Sequence, residues 1–163
     1  MGNTAEAQNL QQFLTFRLGD ETYAVDVHKV REILNLVVIT RVPQMPDDML
    51  GVINLRGSVV PVVDLRRTFG LPTEEANRDN CVVVLEVDCG GEQIVVGARA
   101  DAVQEVLDLP QAAIEPPPRL GMRLKTEFIR GMGKKDEEFL IILDVDRIFS
   151  DAALVLLQES APV

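Results

Sequence analysis

Gly51-Val52-Ile53-Asn54-Leu55-Arg56-Gly57-Ser58-Val59-Val60-Pro61-Val62-Val63-Asp64-Leu65-Arg66 is an apolar frame interrupted once, at Asn54-Leu55-Arg56-Gly57. Gly57 suits a tight turn or bulge, because it reaches unusual backbone angles without a Cβ clash. Beyond it, Val59 to Val63 is rich in the β-branched residues that favour strands. Pro61 lies inside that strand and supplies no ladder donor, which predicts an edge or a bulge there. Asp64 can cap a short helix, Asp64 to Phe69, that Gly70 and Pro72 end. Arg56 is then presented at a strand end. Its guanidinium can grip a carbonyl or carboxylate of a partner, or pair internally with Glu32 or an aspartate.

The same frame returns later in the chain. Val59 to Phe69 aligns without gaps on Phe139 to Phe149, matching the strand, the capping Asp, the Arg three residues later and the closing Phe. Upstream, Val30-Arg31-Glu32-Ile33 answers Val103-Gln104-Glu105-Val106, each after a hairpin with Gly and an acid at its turn. Arg56-Gly57 reads as the counterpart of Arg130-Gly131. The repeat predicts a mainly β chain of two small modules of like topology, each with about five short strands. So few strands cannot cover both faces of a flat sheet, and closure into barrels removes the exposed edges.

Outward from the repeat, Phe13 to Leu18 and Thr22 to Val27 read as a hairpin around Gly19-Asp20-Glu21. His28 to Ile33 reads as a helical turn, because Val30, Ile33 and Leu34 share a helical face. Val37 to Val42 reads as a strand stopped by Pro43 and Pro46, and Asp47 to Leu50 as one helical turn. In the second half, Cys81 to Val87 and Glu92 to Ala98 flank a Gly90-Gly91 turn, and Asp101 to Val106 reads as another helical turn. Pro116-Pro117-Pro118 is a stiff loop. Phe128 to Met132 and Phe139 to Leu143 are strands, Asp144 to Phe149 is a short helix, and Ser150 to Glu159 a terminal amphipathic helix. The expected organisation is one domain over residues 1–163, with subdomains at about 13–72 and 81–149, a polar linker at 73–80 and the C-terminal helix at 150–159.

Composition narrows the function classes. The chain has 163 residues, 47% of them hydrophobic and none Trp, and a core dominated by Val, Ile and Leu is expected. A formal net charge of -10 opposes binding to nucleic acid or anionic lipid. The polar stretch Met1 to Gln12 lacks the features of a signal peptide, and runs such as Leu36 to Ile39 are too short to span a bilayer. A cytoplasmic protein without membrane insertion is expected. Cys81 and Cys89 flank one apolar strand, about 25 Å apart if extended, and are expected to be free thiols. His28 is the only histidine, too little for a triad or a metal site. No phosphate loop, dinucleotide fingerprint or nucleophile elbow occurs. The acidic stretches Asp136-Glu137-Glu138 and Thr73-Glu74-Glu75 lack calcium-loop spacing. Asp64 and Asp144 read as helix caps. No catalytic residue, metal or cofactor is expected.

The ordered set of segments resembles the CheW family, whose pattern G-V-x-N-L-R-G, apolar strand, P-V-V-D-L-R stands here from Gly51 to Arg66. The likeness continues through Phe13 to Leu18, Tyr23 to Val27, Val30 to Ile33, Ile39 to Pro43, Glu92 to Val106, Ile129 to Gly133 and Leu140 to Phe149. The resemblance implies two SH3-like five-stranded barrels packed on a shared apolar core. It implies an adaptor, not an enzyme, that joins the cytoplasmic tip of chemoreceptors to the regulatory domain of the histidine kinase CheA, in the cytoplasm at membrane-associated receptor arrays. A scaffold of a non-flagellar pathway, such as twitching motility or biofilm signalling, is the alternative. Carried over by position, a receptor groove between the barrels would be lined by Val27, Val30 and Ile33 on one side and Val103 and Val106 on the other, with Glu32 and Arg56 as polar anchors. The kinase would meet the first barrel near Ile39 and Val42.

Overall fold

The computed structural model describes residues 10–35, 37–44, 47, 49–72, 80–117, 126–135 and 137–149. The expected linker, except Asn80, and the expected C-terminal helix lie outside the described residues. Ten strands are named: β1 (Leu10–Leu18), β2 (Glu21–Asp26), β3 (Val30–Asn35), β4 (Met49–Leu55), β5 (Ser58–Asp64), β6 (Cys81–Cys89), β7 (Glu92–Ala100), β8 (Ala102–Pro110), β9 (Ile129–Lys135) and β10 (Glu138–Leu143). They form two five-stranded sheets, in the orders β8-β1-β2-β10-β9 and β3-β6-β7-β5-β4.

Neither sheet is built from one repeat alone. The β1–β2 hairpin of the first repeat sits among β8, β9 and β10 of the second, and the β6–β7 hairpin of the second sits among β3, β4 and β5 of the first. The two repeats therefore exchange hairpins, and the sequence boundaries at 72 and 81 do not coincide with the sheets. The exchange is symmetric in detail. Val62 and Val63 pair in parallel with Gly97 and Ala98, while Ile142 and Ile141 pair in parallel with Ala24 and Tyr23.

Alternate side chains feed different apolar layers, as a period of two requires. Along β1, Leu14, Phe16 and Leu18 enter a layer between the sheets, and Phe13 faces the other way. Along β6, Val83, Leu85 and Val87 enter the shared layer, while Val82 and Val84 join Ile53, Val60 and Val62 within the second sheet's own core. Strands buried on both faces read as continuous apolar runs, which is why Val82-Val83-Val84-Leu85 shows no alternation. Helix Leu65–Thr68 and helix 145–149 plug the shared layer with Leu65, Phe69, Val145, Ile148 and Phe149. Asp64 caps the first as expected, accepting from the Arg66 amide at 3.1 Å.

Both sheets roll closed. Thr40 bridges to Val52 on β4 with reciprocal backbone bonds of 2.8 Å, and Glu115 bridges to Met132 on β9 at 2.7 and 2.8 Å. A glycine precedes each bridged residue. A Cβ at Gly51 would lie 2.1 Å from the Thr40 carbonyl oxygen, and one at Gly131 would lie 2.9 Å from that of Glu115. Gly131 is thus the counterpart of Gly51. This corrects the expected match of Arg130-Gly131 with Arg56-Gly57.

Other expectations need correction too. His28 to Ile33 is not a helical turn: only Val27–Lys29 is 3₁₀, and β3 begins at Val30. Of Asp101 to Val106, Ala102 onward is the start of β8 and Asp101 is the bend before it. A bulge explains both. The register shifts between Val30 and Glu32 against β6, and between Leu14 and Phe16 against β8. The extra residue reverses the strand's parity, so Val30 and Ile33 face one side, as do Val103 and Val106, at a spacing that imitates a helix. Val37 to Val42 contributes only the Thr40 bridge, with no named strand, and β4 begins at Met49 where a helical turn was expected. Pro61 lies in an interior strand, not at an edge. Pairing with β7 begins at Val62, one residue later, so the missing N–H removes no bond to β7.

Candidate groove and polar clasp

The parity set by the bulges decides where the apolar candidates point. Cross-strand partners lie on the same face of a sheet. Val30 pairs with Leu85 and Ile33 with Val83, while Val103 pairs with Phe16 and Val106 with Leu14. All four partners belong to the layer between the sheets. Val30 and Val103 are half-buried against that layer. Ile33 and Val106 continue it into solvent, at 39% and 50% exposure. β3 and β8 are edge strands of their sheets, so the shared core surfaces along both edges as an apolar strip. Val27 is half-buried in the 3₁₀ turn that links β2 of one sheet to β3 of the other. Asp26 caps this turn through the His28 amide at 2.9 Å, and His28 itself is exposed.

Glu32 and Arg56 do meet. Arg56 Nη1 donates to Glu32 Oε1 at 2.8 Å and Nη2 to Oε2 at 3.1 Å, a bidentate pair. The hydrogen bond and the charge of Glu32 raise the pKa of the guanidinium, so it stays protonated. Arg56 and Gly57 are the two central residues of the β4–β5 turn, with φ of 52° and 87°. Positive φ at both positions is the type I′ hairpin geometry, and Asn54 Oδ1 secures it by accepting from the Gly57 amide at 2.8 Å. β3 and β4 stand at opposite edges of their sheet. Four inter-strand spacings, about 19 Å, would separate them if it were flat. The pair therefore clasps the mouth of a rolled sheet. It lies within one barrel and does not tie the barrels together.

The candidate kinase residues behave differently from each other. Ile39 turns inward and packs on the core of the second sheet, whereas Val42 is exposed. Val38, at 84% exposure, is the more accessible apolar group of that segment. Nothing in the sequence distinguished Val38 from Ile39, because the segment has no regular strand period.

A polar cluster behind the strip was only half visible in the sequence. Arg66, 8% exposed, donates through Nε to Asp101 Oδ1 at 2.8 Å, through Nη2 to Asp101 Oδ2, and through Nη1 to the Pro72 carbonyl at 2.8 Å. Asp101 also accepts from the Gly19 amide at 2.7 Å, and its own amide donates to the Arg17 carbonyl at 3.0 Å. Burial pushes the Asp101 carboxyl up. The bonds from Arg66 and Gly19, with the charges of Arg66 and Arg99, outweigh it and leave the pKa lowered. The cluster fixes the β1–β2 turn of one sheet to the helix and the β7 end of the other. An arginine inside the apolar frame was the sequence signal. Its partner, 35 residues away, was not.

Cys81 and Cys89 are buried at the two ends of β6 and are not joined in a disulfide, and burial raises the pKa of Cys81. Among the described residues, no cluster of His, Cys, Asp and Glu could hold a metal ion, and no helix is long and apolar enough to cross a membrane.

Comparison with known proteins agrees with this architecture. The pattern of the CheW-like domain matches residues 12–153. The chain is 37% identical over 151 residues to a chemotaxis protein CheW of Klebsiella aerogenes, covering 93% of this chain and 89% of that one. It is 33% identical over 150 residues to protein FrzA of Myxococcus xanthus, covering 91% of each. The crystal structure of the scaffolding protein TtCheW from Thermoanaerobacter tengcongensis superposes with a TM-score of 0.77 at 33% identity, covering 85% of this chain and 92% of that one.

Proposed function

Since the chain belongs to the CheW-like domain family of chemotaxis scaffolds, we propose that it couples chemoreceptors to the histidine kinase CheA. The observation that carries this reading is the apolar strip on β3 and β8. A receptor helix laid along it would anchor apolar side chains on Val27, Val30, Ile33, Val103 and Val106, in the manner of helix-in-groove recognition. Arg56 and Glu32, beside the strip, would fix the helix register. The regulatory domain of the kinase would meet the segment of Val38, Ile39 and Val42. The adaptor performs no chemistry. It stabilises one kinase–receptor geometry, so receptor motion shifts the kinase between states. Its place would be the cytoplasm, at membrane-associated receptor arrays.

Binding of the full chain to a receptor cytoplasmic fragment and to the kinase, measured separately, tests the assignment. Ile33→Asp and Val106→Asp should each weaken receptor binding by about tenfold or more while kinase binding persists. Val38→Asp should do the reverse. Receptor affinity unchanged in both strip variants would overturn the reading. The likeness to FrzA, a relative with a name other than CheW, favours a second reading, the same scaffold role in a non-flagellar pathway. Identifying the receptor and kinase that co-purify from the source cell separates the two.

A further inference from the structure

Each edge of the apolar strip is tied to a plug helix that follows a strand of the other sheet, and the two ties carry inverted charges. Asp64 caps helix Leu65–Thr68, and Asp144 accepts from the Arg147 amide at 3.3 Å at the start of helix 145–149. Two residues beyond these aspartates stand Arg66 and Asp146. Arg66, after β5 of one sheet, holds Asp101, directly before β8 of the other. Asp146, after β10, holds Lys29, directly before β3. Lys29 Nζ donates to Asp146 Oδ1 at 3.0 Å and to Oδ2 at 2.9 Å. In both ties the carboxylate also accepts an amide from the hairpin on which the edge strand lies, Asp101 from Gly19 at 2.7 Å and Asp146 from Asp88 at 2.8 Å. Their burial differs. The Arg66 side chain is 8% exposed, those of Lys29 and Asp146 30% and 34%. The first tie thus braces the fold, while the second restrains a local segment at the surface.

That segment depends on the restraint. β3 has a paired strand on one side only, its pairing with β6 begins at Val30, and the register shifts before Glu32. An edge held by few backbone bonds opens locally unless something else holds it. Val27, Val30 and Ile33 all lie within four residues of Lys29. We infer that Lys29 and Asp146 are positioning residues for receptor binding: their ion pair pins the start of β3, and with it the β3 side of the strip, in the arrangement a receptor helix meets. The inference rests on the receptor reading above. A surface already held in its bound arrangement loses less conformational entropy on association. Lys29 acts through the pair and not by reaching the receptor, since its ammonium is already engaged by both oxygens of one carboxylate.

The test measures binding of the full chain to a receptor cytoplasmic fragment and to the kinase in a double-mutant cycle of Lys29→Met and Asp146→Asn. Met keeps the apolar stem of Lys29, and Asn keeps an acceptor for the Asp88 amide, so each removes the ion pair and little else. Each single variant should weaken receptor binding by about fivefold, and the double variant by no more than either, because both remove one interaction. Kinase binding should persist, and Tm should stay within about 3 °C of the parent. In the free protein, methyl NMR signals of Val27, Val30 and Ile33 should shift in Asp146→Asn, a substitution remote in sequence, while those of Val60 and Val62, in the second sheet's own core, do not. Additive losses, or a loss in Lys29→Met with Asp146→Asn like the parent, would make Lys29 a direct receptor contact and overturn the inference. A strongly lowered Tm with loss of both partners, or unmoved signals on β3, would also overturn it. A parent chain that fails to bind the receptor fragment overturns the receptor reading, and the positioning role with it. A parent that binds, with variants that bind equally well, overturns the positioning role alone.

Discussion

Arg56 is the residue where the sequence left two readings open, partner contact or internal pair, and the structure gives the internal pair a specific form. The bidentate bond to Glu32 lies within one barrel and on its exposed rim. Arg56→Glu should therefore leave thermal unfolding nearly unchanged, with Tm within about 3 °C of the parent. Receptor binding should fall by about tenfold or more, because a charge is reversed beside the strip. A collapsed Tm, or an unaltered receptor affinity, would remove Arg56 from the site. Asp101 gives the opposite expectation. Asp101→Asn removes the Asp101 charge that faces the nearly buried Arg66, at a cost of about 2 kcal/mol, less than for a fully buried pair because Asp101 keeps contact with water. The carboxyl's folded-state pKa is lowered, so its stabilisation is complete above the unfolded value of about 4 and fades as pH falls through the folded value. The stability gap between parent and Asp101→Asn should be constant near neutrality and shrink below about pH 4. Denaturant unfolding at a series of pH values measures it, and a gap that widens in acid would refute the assignment.

At the scale of elements, the closing bridges turn on one atom. Gly51 has φ of 151° and faces the Thr40 carbonyl so closely that a Cβ would overlap it, whereas Gly57 has positive φ but open space around it. Gly51→Ala should cost more than about 2 kcal/mol and loosen the 37–40 segment, since a backbone carbonyl must move. Gly57→Ala should cost about 1 kcal/mol, the strain of the turn alone. Urea midpoints of the two variants give the order, and equal losses would mean the bridge contributes nothing. The same elements show how much was legible. The hairpins were readable because Gly19, Gly57 and Gly90-Gly91 punctuate runs of β-branched residues. Helix Leu65–Thr68 was readable because Asp64 is a strong cap. The segments Val30 to Ile33 and Val103 to Val106 were misread as helical turns because a bulge repeats apolar residues at a helical interval. Val30 and Ile33 still share a face, as do Val103 and Val106, since both geometries bring residues three apart to the same side, but Leu34, expected on the same face, packs instead on the second sheet's own core. Gly51 carried no such signal, because its constraint comes from Thr40, eleven residues away in sequence and across the barrel.

For the whole molecule, the repeat was visible and the exchange of hairpins was not. Matching strands says which segments are alike, while pairing partners depend on contacts between halves that a linear pattern does not encode. The exchange has a mechanical consequence. Separating residues 1–79 from 80–163 would strip β8 and β10 from the β1–β2 hairpin, and β3 and β5 from β6–β7. The shared layer would also be divided, because Phe16 and Tyr23 of one repeat pack there with Leu85, Val96 and Phe149 of the other. Two independently stable barrels in chain order would survive such a cut, and exchanged ones would not. We expect each fragment alone to be largely unfolded and the two, mixed or co-expressed, to assemble into one complex with the sheet content of the intact chain. We also expect the intact chain to unfold in a single transition by circular dichroism and fluorescence alike, since no sheet can melt without exposing the other's partners. Cys81 and Cys89 supply an independent probe of the same event. Both are buried in the shared layer, so a thiol reagent should label them together, at the rate of global opening, and with the same denaturant dependence. Labelling of either thiol well ahead of unfolding, or a fragment that folds by itself with a cooperative melt, would show that the barrels are separable units and that the exchange does not govern stability.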